Sequence, residues 1–69
     1  MTREMSFEEL AIEAEFYVFG DPNKTLYTKI APKKRRLNIT IANAIRVNPP
    51  ENEKGQIIFR NKTVVVCLA

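Results

Sequence analysis

Apolar and polar residues alternate with a period of two along most of this chain, which is the signature of half-buried strands. Ile12, Ala14, Phe16 and Val18 alternate with Glu13, Glu15 and Tyr17, predicting a strand that ends at Phe19. Ahead of it, Ser6 and Glu9 have the spacing of a capping box. Phe7, Leu10, Ala11 and Ala14 follow at i, i+3, i+4 and i+7, which predicts a helix of about two turns starting at Ser6. Gly20-Asp21-Pro22-Asn23 reads as a turn: Pro22 pre-sets φ, and Asp21 and Asn23 favour turn geometry.

Beyond that turn the pattern is β. Residues 25–31 form a predicted strand with Leu26, Thr28 and Ile30 on one face and Tyr27, Lys29 and Ala31 on the other. Pro32 is expected to stop it, leaving residues 33–36 as a connection. Residues 37–47 are the longest periodic element, with Leu37, Ile39, Ile41, Ile45 and Val47 on one parity. Asn43 interrupts that apolar face, so its amide needs a partner or a bulge that turns it outward. Residues 48–55, with two prolines and a glycine, form a loop. Residues 56–60 and 63–68 are two further strands, joined by a short Asn61-Lys62 hairpin connection. The last strand is apolar (VVVCL) and must be covered by the sheet or by another subunit.

Five short strands with regular turns and a small N-terminal helix predict a mainly β fold. The expected form is a five-stranded antiparallel barrel or strongly bent sheet in the SH3-like or OB-like size class. A flat sheet with one helix packed on it is the alternative. Sixty-nine residues make a single small domain. A chain this short buries only about 60% of its unfolded surface, and such domains often gain stability by oligomerising.

Charge adds the first functional information. Residues 1–21 carry one base against six acids, a net of −5, and residues 22–69 carry ten bases against two acids, a net of +8. Four of those bases are consecutive: Lys33, Lys34, Arg35 and Arg36. A cluster of this kind contacts phosphate, releasing counterion and adding salt-sensitive affinity without sequence information. The plainer reading is a solvated connection whose like charges keep an edge from pairing.

Strand parity adds a second feature. It places Tyr17 and Phe19 away from the core on the first strand, with Tyr27 and Lys29 on the next. Arg46 and Arg60 share the outward parity of their own strands. Rings interleaved with cations on an open sheet face suit single-stranded nucleic acid, because rings stack on bases while cations track the backbone. The same residues also suit a protein–protein surface, where tyrosine and arginine are favoured.

Several classes of function lose support. The chain has no histidine, which removes the commonest general base and metal ligand. Cys67 lies in an apolar strand with nothing to activate it, and a lone cysteine forms no internal disulfide, which fits a reducing cytoplasm. Gly20 and Gly55 are too far apart for a phosphate loop. No apolar run is long enough for a membrane span, and no secretory signal is expected. The chain is therefore expected to be a cytoplasmic, non-enzymatic protein without cofactor or metal.

The expected function is nucleic-acid binding with weak sequence preference, through Lys29, Lys33, Lys34, Arg35, Arg36, Arg46 and Arg60, with Tyr17 and Tyr27 stacking on bases. The alternative is a small adaptor or inhibitor that binds an acidic protein surface, with homodimerisation by strand addition through residues 64–68 as an option of that reading.

Overall fold

The computed structural model describes residues 2–68. Among them, six strands form one antiparallel sheet: β1 (Thr2–Ser6), β2 (Glu15–Val18), β3 (Tyr27–Arg36), β4 (Ile39–Arg46), β5 (Gln56–Ile57) and β6 (Val64–Leu68). The spatial order is β1-β6-β2-β3-β4-β5. The mainly β expectation holds, but the sheet is not closed: β1 and β5 are its two edges.

β1 has no counterpart in the sequence reading. Its sequence, TREMS, has almost no apolar periodicity. It is a strand because it pairs along its whole length with β6, from Thr2 opposite Leu68 to Ser6 opposite Val64. β6 also pairs with β2, through Phe16–Cys67, Tyr17–Val66 and Val18–Val65. The apolar terminal strand is thus an interior strand, and neither of its edges is free for strand addition.

The expected two-turn helix is a single 3₁₀ turn, Phe7–Glu9. The capping pair is present: Glu9 Oε1 accepts from the Ser6 backbone N–H at 3.2 Å and from the Ser6 hydroxyl at 2.7 Å. The turn cannot lengthen because strand pairing resumes at once. The Glu13 N–H donates to the Lys29 carbonyl at 2.7 Å, and the Lys29 N–H donates to the Ala14 carbonyl at 3.0 Å. Glu13 takes a left-handed φ of 77° to make this join, an uncommon conformation for a residue with a Cβ.

One face of the sheet carries the core. Phe7, Leu10, Phe16, Ala44 and Val65 are buried together, with Met5, Ala14, Tyr27, Ile57, Phe59 and Cys67 packed against them. Four rings form its centre: Phe16 lies edge-on to Phe7 (5.5 Å between centroids) and to Phe59 (5.4 Å), and stacks on Tyr27 at 5.7 Å. Phe16 has no exposed surface.

Residues 58–63 do not form the expected hairpin, since β5 pairs with β4 while β6 lies toward the opposite edge. The segment instead crosses the open side of the core. Phe59 drops its ring into the aromatic group, and the Thr63 and Asn61 carbonyls accept from the N–H groups of Phe7 and Glu8 at 2.8 and 3.0 Å. Asn43 anchors this crossing. Its Nδ2 donates to the Phe59 carbonyl at 2.8 Å, and its Oδ1 accepts from the Phe59 N–H at 2.7 Å. The side-chain amide thus takes over from the β4–β5 ladder, whose register pairs end at Ala44–Ile57. That is the partner the apolar setting of Asn43 demanded.

Candidate nucleic-acid interface

The site is built on the β3–β4 hairpin. β3 does not stop at Pro32; it continues to Arg36, and the chain reverses at Leu37-Asn38. Proline is tolerated in a sheet only at an edge or a bulge, and both conditions hold. Register pairs on the β2 side are confined to Tyr27 and Thr28. On the β4 side the register shifts between Lys29 (opposite Ala44) and Lys33 (opposite Ala42). Three residues of β3 therefore face Asn43 alone. Further shifts follow between Lys33 and Lys34 and between Lys34 and Arg36. Bulges of this kind bend and twist a ribbon. The distal hairpin thus extends beyond the paired part of the sheet, with neither of its outer edges in a β ladder.

Lys33, Lys34, Arg35 and Arg36 are all exposed on this arm. Among the described residues none of the four forms an ion pair; the one salt bridge is Lys62–Glu8 at 2.8 Å, between exposed side chains. The acidic N-terminal segment does not neutralise the basic run. The facing strand is apolar: Ile39 and Ile41 are exposed, and Leu37 at the tip is 85% exposed. The expected continuous strand over residues 37–47 therefore begins only at Ile39, because the chain turns at Leu37 and Asn38.

The remaining predicted site residues do not gather around the arm. β2 and β3 pair as Phe16 opposite Tyr27. A shift of one residue from the expected alignment puts Tyr27 and Lys29 on the core face, opposite to Tyr17. The Tyr27 ring packs against Phe16 and Phe59, at 5.7 and 5.1 Å, so it does not form a stacking platform with Tyr17. Lys29 is turned inward: its Nζ donates to the Phe7 carbonyl at 2.9 Å and to the Leu10 carbonyl at 2.7 Å, and lies 4.7 Å from the Phe7 ring centroid. It caps the 3₁₀ turn from the core side.

Arg46 is opposite Tyr27 at the far end of the hairpin. It lines a polar cleft of about 410 Å³ with Asn23, Lys24 and Asn48. Arg60 is exposed on the crossing segment. Tyr17 is half-buried on the outer face of the sheet, with Lys24 Nζ 5.8 Å from its ring centroid. Lys24 escaped the sequence reading because its place follows from the Asp21 turn. There the Asp21 carboxylate accepts from the N–H groups of Asn23 and Thr25, and Lys24 takes a left-handed φ of 47°.

Among the described residues no three His, Cys, Asp or Glu side chains group as metal ligands, and no helix is long and apolar enough to cross a membrane. Comparisons with protein-family models, with curated proteins and with solved structures return no match.

Proposed function

We propose that this is a small, non-enzymatic, cytoplasmic nucleic-acid-binding domain whose β3–β4 arm contacts the phosphate backbone. One observation supports this most directly: four consecutive cations stand exposed on a bulged hairpin, unpaired among the described residues. Lys33, Lys34, Arg35 and Arg36 are the phosphate-contacting residues. Arg46 and Arg60 add positive field, and Tyr17 is the one predicted tyrosine left on an outer face. Sequence preference is weak, because contacts to phosphate position a protein on the backbone without reading its sequence.

The test is oligonucleotide binding by fluorescence anisotropy across a salt series. Four neutralised phosphates give a log–log slope of about −3.6, roughly a hundredfold loss of affinity between 50 and 200 mM salt. Replacing residues 33–36 together by alanine should flatten that slope to near zero. An unchanged slope removes the arm from the interface.

A second reading draws on the apolar side of the same arm. Exposed Leu37, Ile39 and Ile41 beside cations suit an acidic protein surface that also offers an apolar groove. Binding to such a partner depends on Leu37 and Ile39 as much as on the cations. Nucleic-acid binding through phosphate depends on the cations.

A further inference from the structure

The tip of the β3–β4 arm carries a residue that its turn does not call for. Arg36 pairs with Ile39, so Leu37 and Asn38 alone reverse the chain. Two-residue hairpin loops favour asparagine and glycine in left-handed conformations, because those turns match the twist of the strands. Here neither loop residue takes a left-handed φ, and the first of them is a leucine. Leu37 is the most exposed of the large apolar side chains among the described residues. Ile39 and Ile41 continue that apolar surface along β4, beside the four cations of β3. Neither turn chemistry nor packing within the chain accounts for a leucine at this point.

We infer that Leu37 is an apolar wedge, which the arm carries into the minor groove of duplex DNA and inserts between two stacked base pairs. The inference rests on the reading of the arm as a phosphate-binding element and names its substrate. Wedges of this kind, leucine among them, part a base step from the minor groove and bend the duplex. The reach of the arm fits. Lys33 to Leu37 is four residue steps of strand, at most about 13 Å, against a groove about 7.5 Å deep. With Leu37 at the groove floor, the cations of β3 stand at and above the phosphate rim. A B-form minor groove is only about 6 Å wide, so it must open to admit two strands, and unstacking by the wedge opens it.

The neighbours of Leu37 select this occupant. Arg36 and Asn38 flank it in the sequence. Sinking Leu37 into a bilayer draws a guanidinium and an amide toward hydrocarbon, where each is costly. In the minor groove both have partners. Arg36 meets phosphate, and Asn38 donates to adenine N3 or thymine O2, the acceptors every A·T pair presents there. A single strand offers less to this tip, because unstacked bases are held by flat rings and residues 33–42 contain no aromatic side chain. The minor-groove pattern is also degenerate, in keeping with weak sequence preference. What preference there is should favour steps that kink easily, TA above all.

The test uses the full chain and a duplex of about 20 base pairs with one central TA step. Its ends are labelled for energy transfer, and the adenine of the step is replaced by 2-aminopurine. Saturation with the unaltered protein should bend the duplex by about 20–90°, raising the energy transfer, and should brighten the 2-aminopurine as it unstacks. Leu37→Ser takes nothing from the core, since the side chain is exposed. It should bind about tenfold more weakly for want of the apolar contact, keep the same salt slope, and leave the duplex straight and the 2-aminopurine quenched.

A salt slope set by residues 33–36, with no bending and no effect of Leu37→Ser, overturns the wedge and leaves the phosphate reading standing. No salt-dependent binding to any oligonucleotide overturns the phosphate reading and the wedge with it. Tighter binding to the single strand than to the duplex overturns the wedge alone. The last comparison is with vesicles of equimolar phosphatidylcholine and phosphatidylserine. Binding to them that Leu37→Ser abolishes, with the duplex left straight, gives the tip to a lipid surface and overturns the inference equally.

Discussion

Lys29→Met separates a structural cation from a binding one. The sequence groups Lys29 with the basic surface, but the fold turns its ammonium toward two main-chain carbonyls, at 2.9 and 2.7 Å, and over the Phe7 ring. Hydrogen bonds to a charged donor contribute about 1.5–3 kcal/mol each, and a partly exposed cation–π contact about 0.5–1 kcal/mol. Lys29 is only half-buried, so water recovers part of this when the ammonium is removed. Methionine keeps most of the aliphatic stem, which limits the packing loss. The expected cost is about 2–4 kcal/mol.

For a domain of this size 1 kcal/mol moves Tm by about 4–8 °C, so Lys29→Met should melt at least about 8 °C lower in a calorimetric scan. In the anisotropy assay, below the new transition, its salt slope should equal that of the unaltered protein. Replacing residues 33–36 should do the reverse, flattening the slope with little change in Tm. A Lys29→Met protein with unchanged Tm and a shallower slope would falsify the assignment, placing the ammonium on the ligand rather than on Phe7 and Leu10.

Three further substitutions probe the frame that holds the arm. Asn43→Ala strips the Phe59 N–H and carbonyl of their partners, at about 1–3 kcal/mol for each unsatisfied group; denaturant melting checks this, and a loss below about 0.5 kcal/mol would mean that water replaces the amide. Phe16→Ala removes the ring on which the aromatic group closes and should cost about 3–5 kcal/mol, a large part of the total stability of a 69-residue domain; a folded variant with a near-native midpoint refutes that role. The Ser6 hydroxyl and N–H hold the Glu9 carboxyl below its ordinary value. The stabilisation is therefore present above the unfolded-state value and is lost as pH falls through the lower, folded one. Glu9→Gln should remove that acid-side dependence from a pH series of melts, and an unchanged profile counts against the contact.

Features set by local chemistry were legible in the sequence. The Asp21 turn, the loop before Gly55 and the need of Asn43 for a partner all follow from residue types that permit few alternatives. Gly55 shows the constraint most sharply: its φ is +72°, and a Cβ there would lie 2.8 Å from Pro49 Cβ. Features set by pairing were not legible. TREMS becomes a strand only because β6 offers it an edge. The faces of Tyr27 and Lys29 depend on whether Phe16 or Tyr17 meets Tyr27, and a single-residue shift decides that. Pro32 reads as a stop only if its neighbours must be paired, and the bulge opposite Asn43 removes that requirement.

The same bulge explains how one small sheet separates its charges. β3 starts inside the sheet, paired on both sides at Tyr27 and Thr28, and ends as one strand of a two-stranded arm. The cations of β3 divide at that transition. Lys29 lies before it and is drawn to the core; Lys33, Lys34, Arg35 and Arg36 lie after it, where no carboxylate among the described residues pairs with them. The acids Glu4 and Glu15 are fixed on β1 and β2, on the outer face that β6 centres.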